Sequence, residues 1–419
     1  MHIDIRRREK FVCFLALLPV ILYGKILRKK EIYLKDQLEN IQNKVMKKHF
    51  NYYFFSLVVV LAGFGFLFLA CLSAPASLQR FNNASYYLSH QLILLSAAVI
   101  LGFIFYKIPL KIFKKWAPAA FFINFILLFL VFLPFIGLKL GGASRWINLG
   151  KFSFQPSEFL KITAVLYLSA WIASKLSDTS ISGWKSSAKK GYHNFLYILA
   201  PFLILLAIIS MAMFFQKDAS TLGIISLTLL AVYFSAKTPI WHTFLVIAAG
   251  AGSLLFLIKF EPYRLDRWLI FLHPESDPLG KGFQLRQALL SLGSGGIFGK
   301  GLGMSTQKFG FLPQAISDSI FAIVGEELGM VGAVILIALF ILFFYLGIKI
   351  AKNSNDRFSK MTAIGITFWI TLQAFINIAS TTGIFPLTGI PLPFFSYGGS
   401  HLIAEIIGVG LLLNISKNG

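Results

Sequence analysis

The sequence predicts an all-α polytopic membrane protein with about ten transmembrane helices. Apolar residues make up 57% of the 419 residues, and charged residues make up only 13%, about half the share found in a soluble domain. The mean hydropathy is +0.74. Apolar stretches of about 20 residues recur along the chain, and each is long enough to cross a bilayer as a helix. A soluble globular enzyme is therefore excluded.

Ten stretches have this length, and the basic residues between them predict the orientation. Lys and Arg collect before the first span and after the second, fourth and eighth, so the positive-inside rule places both chain ends in the cytoplasm. The eighth span is long, and its first part could be a half-helix at the membrane face. The spans lie at about 51–72, 89–107, 117–137, 157–174, 194–214, 218–236, 240–259, 319–348, 361–382 and 396–415.

The net charge of +22 does not indicate nucleic-acid binding, because the bases sit in short clusters between apolar runs. Residues 1–49 hold 12 of the 39 Lys and Arg and are predicted to form a basic cytoplasmic extension of the membrane domain 50–419. Two alternatives stay open: residues 11–24 could span the membrane, or translation could start at Met46. Cys13 and Cys71 lie in apolar stretches and predict neither a disulfide framework nor a metal site.

The first candidate site is the outer stretch GGASRWINLGKFSFQPSEFLK, Gly141 to Lys161. Its bases break the positive-inside rule, and a guanidinium such as that of Arg145 suits phosphate oxygens. Glu158 and Lys161 lie three apart on the helix that follows, so they share one face. The pair could be purely structural or could belong to a site.

The second candidate site is the long outer loop, about 260–318, between the seventh and eighth spans. Loops of this length are usually functional or disordered, and this one is rich in glycine and ends at Asp318. Asp318 could be a helix N-cap, although Ser317 could serve equally well. Other acids are expected to have partners: Glu326 and Glu327 in the half-helix, Asp218 as a helix cap, and His401 with Glu405 as a hydrogen-bonded pair.

Three motifs resemble the SEDS family (shape, elongation, division and sporulation), and the match runs from about residue 50 to the C-terminus. They are SRWINLGKFSFQPSEFLK, GIFGKGLGMSTQKFGFLPQAISDSIFAIVGEELG and FPLTGIPLPFFSYGGS. Within the family, GLGMSTQK and NLGKFSFQPSEF are closer to the division branch than to the elongation branch. The sequence departs from the family around the key aspartate, with Gln314, Ile316 and Ser317 in place of the usual Glu, His and Thr. His401 and Glu405 are also unusual.

The resemblance implies a peptidoglycan glycosyltransferase that polymerises lipid II at the outer face of the bacterial cytoplasmic membrane, at the division septum. It implies a class B penicillin-binding protein and other divisome membrane proteins as partners. Asp318 aligns with the aspartate that the family requires for polymerisation. The family's Arg-Trp aligns with Arg145 and Trp146, and its QPSE-x-x-K aligns with the segment 155–161. The predicted substrate-binding residues are Arg145, Gln155, Glu158, Lys161, Gln284, Gln307 and Lys308.

The predicted chemistry is direct displacement at the anomeric carbon, with Asp318 as general base. A diphosphate leaving group needs no second acid, unlike the leaving group of a glycosidase. Arg145, Lys161 and Lys308 could stabilise the leaving charge, and a divalent cation such as Mg²⁺ or Mn²⁺ could share that task, although the sequence contains no dedicated metal cage. The alternatives are a lipid II flippase using Glu158–Lys161 and His401–Glu405, a scaffold that recruits the penicillin-binding protein, and an elongation-type polymerase.

Overall fold

The computed structural model describes residues 50–418 with gaps at 141–142, 151, 179–197, 237, 239–240, 247–249, 251, 253–262, 274, 276 and 278–279. The predicted extension 1–49 and most of the predicted seventh span, 240–259, lie outside the described residues. The described part of the chain is predominantly helical, as the sequence predicts.

Most helices follow the predicted spans, but helix Leu110–Leu130 is displaced from the predicted span 117–137, and helix Tyr52–Phe81 runs past the predicted end at 72. Six helices are long and apolar enough to cross a membrane: Tyr52–Phe81, Tyr86–Lys107, Leu110–Leu130, Ile320–Asn353, Arg357–Thr381 and Gly399–Asn418. The number of such helices among the described residues tests neither the predicted total of ten spans nor the predicted cytoplasmic position of both chain ends. The helices are α1 (Tyr52–Phe81), α2 (Tyr86–Lys107), α3 (Leu110–Leu130), α4 (Pro156–Asp178), α5 (Ala200–Phe215), α6 (Ala219–Ser235), α7 (Tyr263–Leu272), α8 (Lys281–Ser294), α9 (Ile320–Asn353), α10 (Arg357–Thr381) and α11 (Gly399–Asn418).

Short polar side chains fix where several helices begin. Asn51 accepts a hydrogen bond from the Phe54 backbone N–H, and Asp356 accepts one from the Ser359 N–H. Asp218 accepts one from the Thr221 N–H at the start of α6, which confirms its prediction as a cap. In each case the side chain satisfies a donor that the first helical turn leaves without a partner.

A small antiparallel sheet, which the sequence analysis did not predict, occupies the first outer stretch. Strands β1 (Gly137–Leu140), β2 (Ala143–Leu149) and β3 (Phe152–Phe154) pair in the order β1-β2-β3. Gly150, with φ of 78°, lies in the turn between β2 and β3, where a left-handed backbone favours glycine. The sheet leads directly into α4 and carries Arg145 and Trp146 on its middle strand.

Helix α9 is broken at Gly329, so its first part is a half-helix, as predicted. Gly329 has φ of 67° and ψ of −165°. The loop before it completes the interrupted hydrogen bonding: Lys300 N–H donates to the Glu326 carbonyl, and Met330 N–H donates to the Gly296 carbonyl. Irregular backbone within a membrane protein is tolerated where protein groups satisfy it in this way.

The core of the described bundle is formed by α4, α10 and α11, in which the largest proportion of residues is buried. α11 packs along α2, and α10 packs against α4, α6 and α9. The largest fully buried side chain is Trp369 of α10. The site described next lies at one end of these central helices, beneath the sheet and the loops that precede α9 and α11.

Candidate active site

A cavity of about 320 Å³ brings together most of the residues predicted to be functional. Arg145 and Trp146 reach it from β2, Gln155, Glu158 and Lys161 from the start of α4, and Asp318 from the loop before α9. The structure therefore joins three motifs that lie far apart in the sequence. The remaining lining comes from the start of α6 and the turn before it, from the loop before α9, and from the first turn of α11 and the loop before it: Asp218, Ser220, Thr221, Gln314, Ser317, Thr388, Gly389, Ile390, Pro391, Tyr397, Gly398 and His401.

Asp318 is half-buried at the end of the long loop. Hydrogen bonds reach both its backbone carbonyl and its carboxylate. Asn377 of α10 donates to the Asp318 carbonyl at 2.8 Å. The Ser317 hydroxyl donates to Asp318 Oδ1 at 3.1 Å. The residue that precedes α9 is Ser319, so neither Asp318 nor Ser317 occupies the N-cap position. The capping interpretation of Asp318 is wrong, because the helix begins two residues later.

The segment before α11 supports Asp318 from the opposite side. Tyr397 N–H donates to the Ile316 carbonyl at 2.8 Å, and the Ser396 hydroxyl donates to the Ser317 carbonyl. The loop carrying Asp318 is thus hydrogen-bonded to the FFSYGGS motif at residues 316 and 317, and to Asn377 of α10 at residue 318. Both motifs stand out in the sequence, but no pattern in a single sequence indicates that they are in contact.

Glu158 and Lys161 form a buried ion pair at the inner wall of the cavity. Lys161 Nζ lies 2.7 Å from Glu158 Oε2, and the two residues are only 2% and 3% exposed. Lys161 also donates to Gln373 Oε1 at 2.8 Å and lies over the Trp369 ring. Each member of the pair has a partner of opposite sign, which a buried ion requires, and both residues line the cavity.

Arg145 is fixed at the rim by the turn between α5 and α6. Its guanidinium donates to the Gln216 carbonyl at 3.3 Å and to the Lys217 carbonyl, and Nη1 lies 3.9 Å from Asp218 Oδ1. Asp218 is only 2% exposed, and its Oδ2 has no hydrogen-bond partner among the described residues. The sequence analysis took Asp218 for a cap alone, but the structure also places it in the cavity beside Arg145.

Tyr397 lines the cavity and is held from outside the lining by His90. The Tyr397 hydroxyl lies 2.8 Å from His90 Nδ1, and its ring packs edge-on against Tyr87 at 4.8 Å. Burial raises the pKa of Tyr397 above its ordinary value, and the nearby Tyr87 and Tyr86 add to the shift. The phenol therefore stays protonated and can donate a hydrogen bond at neutral pH.

Three predicted binding residues lie outside the cavity lining. Gln284 of α8 donates to the Ser319 hydroxyl at 3.1 Å, next to Asp318 but behind it. Gln307 lies in a short 3₁₀ turn, Gln307–Phe309. Lys308 donates to the Gly303 carbonyl within its own loop. The structure does not bring Gln307 and Lys308 to the other site residues, and substrate binding by these three stays a prediction.

Of the acids predicted to have partners beside the site, Glu326 does as expected and Glu405 does not. Glu326 is buried and accepts hydrogen bonds from Lys300, Ser305 and Thr306, which ties the half-helix to its loop. The predicted hydrogen bond between His401 and Glu405 is not formed. His401 Nε2 instead meets the Ser396 carbonyl at 3.1 Å, and Glu405 accepts hydrogen bonds from groups outside its own helix.

The described residues contain no group of three or more His, Cys, Asp and Glu side chains placed to hold a metal ion. The carboxylates of Asp218 and Asp318 line the same cavity. Mg²⁺ is commonly bound by one or two carboxylates together with substrate phosphates, so these two residues fit a cation that arrives with a diphosphate better than they fit a resident ion.

The family model for the cell cycle proteins FtsW, RodA and SpoVE matches residues 52–419. A probable peptidoglycan glycosyltransferase FtsW of Coxiella burnetii is 37% identical over 85% of this chain and 93% of its own. The FtsW of Trichlorobacter lovleyi is 34% identical over 86% of this chain and 91% of its own, and stage V sporulation protein E of Bacillus subtilis is 34% identical over 86% and 95%.

Solved structures share the fold. A chain from a study titled "Structural coordination of polymerization and crosslinking by a peptidoglycan synthase complex" aligns with a TM-score of 0.69 at 24% identity, over 88% of this chain and 98% of that one. RodA, the rod shape determining protein of Thermus thermophilus, aligns with a TM-score of 0.62 at 22% identity, over 88% and 97%. The chain is a multi-pass membrane protein of the FtsW/RodA/SpoVE family, which is the SEDS family, and it is most like FtsW.

Proposed function

We propose that this chain is a peptidoglycan glycosyltransferase that polymerises lipid II into glycan strands at the outer face of the cytoplasmic membrane. The observation that carries the proposal is the shared cavity, in which the Asp318 carboxylate lies with two cations, Arg145 and Lys161, each held beside a carboxylate of its own, Asp218 and Glu158. Glycosyl transfer from a lipid diphosphate needs one base for the acceptor and positive charge for the leaving group. The names of the FtsW relatives support the same activity.

In the proposed reaction, Asp318 takes the proton from the acceptor's GlcNAc 4-hydroxyl as its oxygen attacks the donor's anomeric carbon. The bond from that carbon to the diphosphate oxygen breaks, and undecaprenyl diphosphate leaves with the electron pair. The configuration at carbon inverts. A positioned base contributes about 10² to 10⁴ in rate, and preorganised cations stabilise the charge that develops on the diphosphate.

The two cations suit different parts of this task. Arg145 is at the rim, with its side chain 30% exposed, where a diphosphate at the membrane surface would meet it. Lys161 is buried at the inner wall of the cavity, beside Glu158. Bound Mg²⁺ or Mn²⁺ would supply further positive charge, with Asp218 and Asp318 as the candidate ligands.

We place the enzyme at the division septum, working with a class B penicillin-binding protein and other divisome membrane proteins. The FtsW relatives and the sequence resemblance to the division branch support this role over elongation. A fluorescent fusion expressed in the source bacterium tests it: septal bands favour division, and side-wall patches favour an elongation-type polymerase.

A lipid II flippase is the second candidate function, because one observation favours it. A buried polar chain runs from Lys161 through Gln373 to Glu405 within the bundle, which is the internal path that transport would use. The two functions separate in one experiment on the purified full chain with its transpeptidase partner. Glycan strands formed from lipid II support the polymerase, whereas lipid II translocation in vesicles without strands, beside an active control polymerase, supports the flippase.

A further inference from the structure

Glu405 is a buried carboxyl group in α11 to which the proposed reaction gives no role. It is 0% exposed, and an acid at this position in an apolar helix is costly unless other groups satisfy it. Its Oε2 accepts a hydrogen bond from the Phe394 backbone N–H at 2.9 Å. Its Oε1 accepts a longer one from Gln373 Nε2 at 3.4 Å. Both oxygens therefore act as acceptors, and neither reaches the cavity.

Gln373 joins Glu405 to the active site, and its amide has only one orientation that satisfies its neighbours. On one side, Lys161 Nζ and Trp369 Nε1 both donate to Oε1, at 2.8 and 3.0 Å. On the other side, the Pro391 carbonyl and Glu405 both accept from Nε2, at 3.1 and 3.4 Å. An amide presents an acceptor and a donor at opposite ends. The acceptor at Glu405 thus helps to keep the Gln373 oxygen directed at Lys161.

Lys161 has three N–H donors, and the described contacts occupy two of them. One goes to Glu158 Oε2 and one to Gln373 Oε1. Lys161 also lines the cavity, so the third donor is the one available for an anionic group there. Its direction depends on where the other two are held.

The second oxygen of Glu405 fixes the segment that supports Asp318. Phe394 has φ of 66°, a conformation that a bulky residue adopts only when its surroundings hold it. A Cβ added to Gly65 of α1 would meet the Phe394 carbonyl at 2.2 Å, so the segment is wedged against α1. Two residues later, Ser396 donates to the Ser317 carbonyl beside Asp318.

We propose that Glu405 is a positioning residue: through Gln373 it orients the third N–H of Lys161 toward the diphosphate, and through Phe394 it holds the loop that supports Asp318. The inference rests on the proposed function for the identity of the anionic group. It predicts that replacing the carboxyl group of Glu405 with an amide lowers turnover without unfolding the protein, because the side chain acts on the site through two hydrogen bonds.

Three variants of the full chain test the proposal by kcat/KM for lipid II polymerisation with the transpeptidase partner. Glu405→Gln keeps the shape and an acceptor for Phe394, but it sets an amide donor against Gln373 Nε2, and we expect a loss of about tenfold. The exchange of the two groups, Gln373→Glu with Glu405→Gln, keeps an acceptor at position 373 for Lys161 and again pairs a donor with an acceptor between the helices, while the Pro391 carbonyl loses its donor. We expect that double variant to be more active than Glu405→Gln alone. Ser416→Ala, whose hydroxyl donates only within α11, is the control that keeps wild-type activity.

Unchanged turnover in Glu405→Gln overturns the proposal. So does an exchange variant that melts like wild type but is no more active than Glu405→Gln, because restoring the hydrogen bond between positions 373 and 405 should then have restored turnover. If the wild type forms no strands, the proposed function fails. The inference is then tested by the binding of undecaprenyl diphosphate, measured by thermal shift. Binding about tenfold weaker in Glu405→Gln than in wild type supports it, and equal or absent binding in both overturns it.

Discussion

The side-chain amide of Asn377 donates to the backbone carbonyl of Asp318 at 2.8 Å, across 59 residues of sequence. The same nitrogen donates to the Ile390 carbonyl, also at 2.8 Å. One buried side chain of α10 therefore joins the loop before α9 to the loop before α11, and it does so at the proposed catalytic residue. This contact therefore helps to position Asp318 in the cavity.

Replacing Asn377 with leucine is expected to lower activity by misplacing Asp318. Asn377→Leu keeps the size but leaves two carbonyls without their donor, which costs about 1–3 kcal/mol of stability, and a displacement of about 1 Å at a catalytic group can cost about 10²-fold in rate. Strand synthesis and the melting temperature measure the two effects. Thr382→Val removes a hydroxyl that donates only within its own helix region and should leave both near wild type. An active Asn377→Leu would separate this contact from catalysis.

We expect Arg145 to be needed for the planar, multiple hydrogen bonding of its guanidinium and not only for its positive charge. It bonds two carbonyls of the α5–α6 turn and lies near Asp218, and a lysine ammonium cannot reproduce that planar arrangement. Arg145→Lys should raise the KM for lipid II by about tenfold, because loss of one charge-assisted contact costs about 1.5–3 kcal/mol. Lys139→Gln, an exposed base on β1, is the matched control. A KM equal to that of wild type in Arg145→Lys would remove Arg145 from substrate binding.

The break in α9 requires glycine at position 329. A Cβ there would lie 2.3 Å from the Gly299 nitrogen and 2.5 Å from the Ile297 carbonyl oxygen, on a backbone with φ of 67°. Gly329→Ala should therefore lower stability by several kcal/mol, since strain alone at such a conformation costs about 1–3 kcal/mol. Thermal unfolding in detergent measures it.

Gly223 of α6 is the matched control for that substitution. Nothing lies within 4 Å of a Cβ added there, and alanine is favoured over glycine in a helix by about 1 kcal/mol. Gly223→Ala should melt at or above the wild-type temperature. If the two variants melt alike, the half-helix does not depend on the conformation of Gly329.

The sequence predicts the helices well because span length is a local signal. The predicted eighth span, 319–348, and the observed Ile320–Asn353 begin within a residue of each other, and the polar start of that span also indicates the half-helix. The β-sheet at 137–154 escaped prediction because its strands are short and one is of mixed polarity, so no clear two-residue alternation stands out.

Part of the site could also be predicted, because a charged residue beside an apolar run is a local signal in the sequence. Arg145, Glu158, Lys161 and Asp318 stand out as charges beside apolar runs, and each lines the cavity. The contacts that hold them, such as Ser396 to the Ser317 carbonyl 79 residues away, are long-range and leave no pattern in a single sequence. His401 and Glu405 lie at the spacing of a helical pair, but tertiary partners compete with that pairing, and the predicted bond between them is wrong.

Lipid II polymerisation by Asp318→Asn and by wild type, each with the transpeptidase partner, tests whether Asp318 is the base for glycan polymerisation. Asparagine keeps the shape and loses the proton acceptor, so we expect strands from wild type and a loss of about 10² to 10⁴ in the rate of the variant. Asp356→Asn, which keeps a good N-cap for α10, should remain active. Equal strand synthesis by Asp318→Asn and wild type would show that Asp318 is not the base.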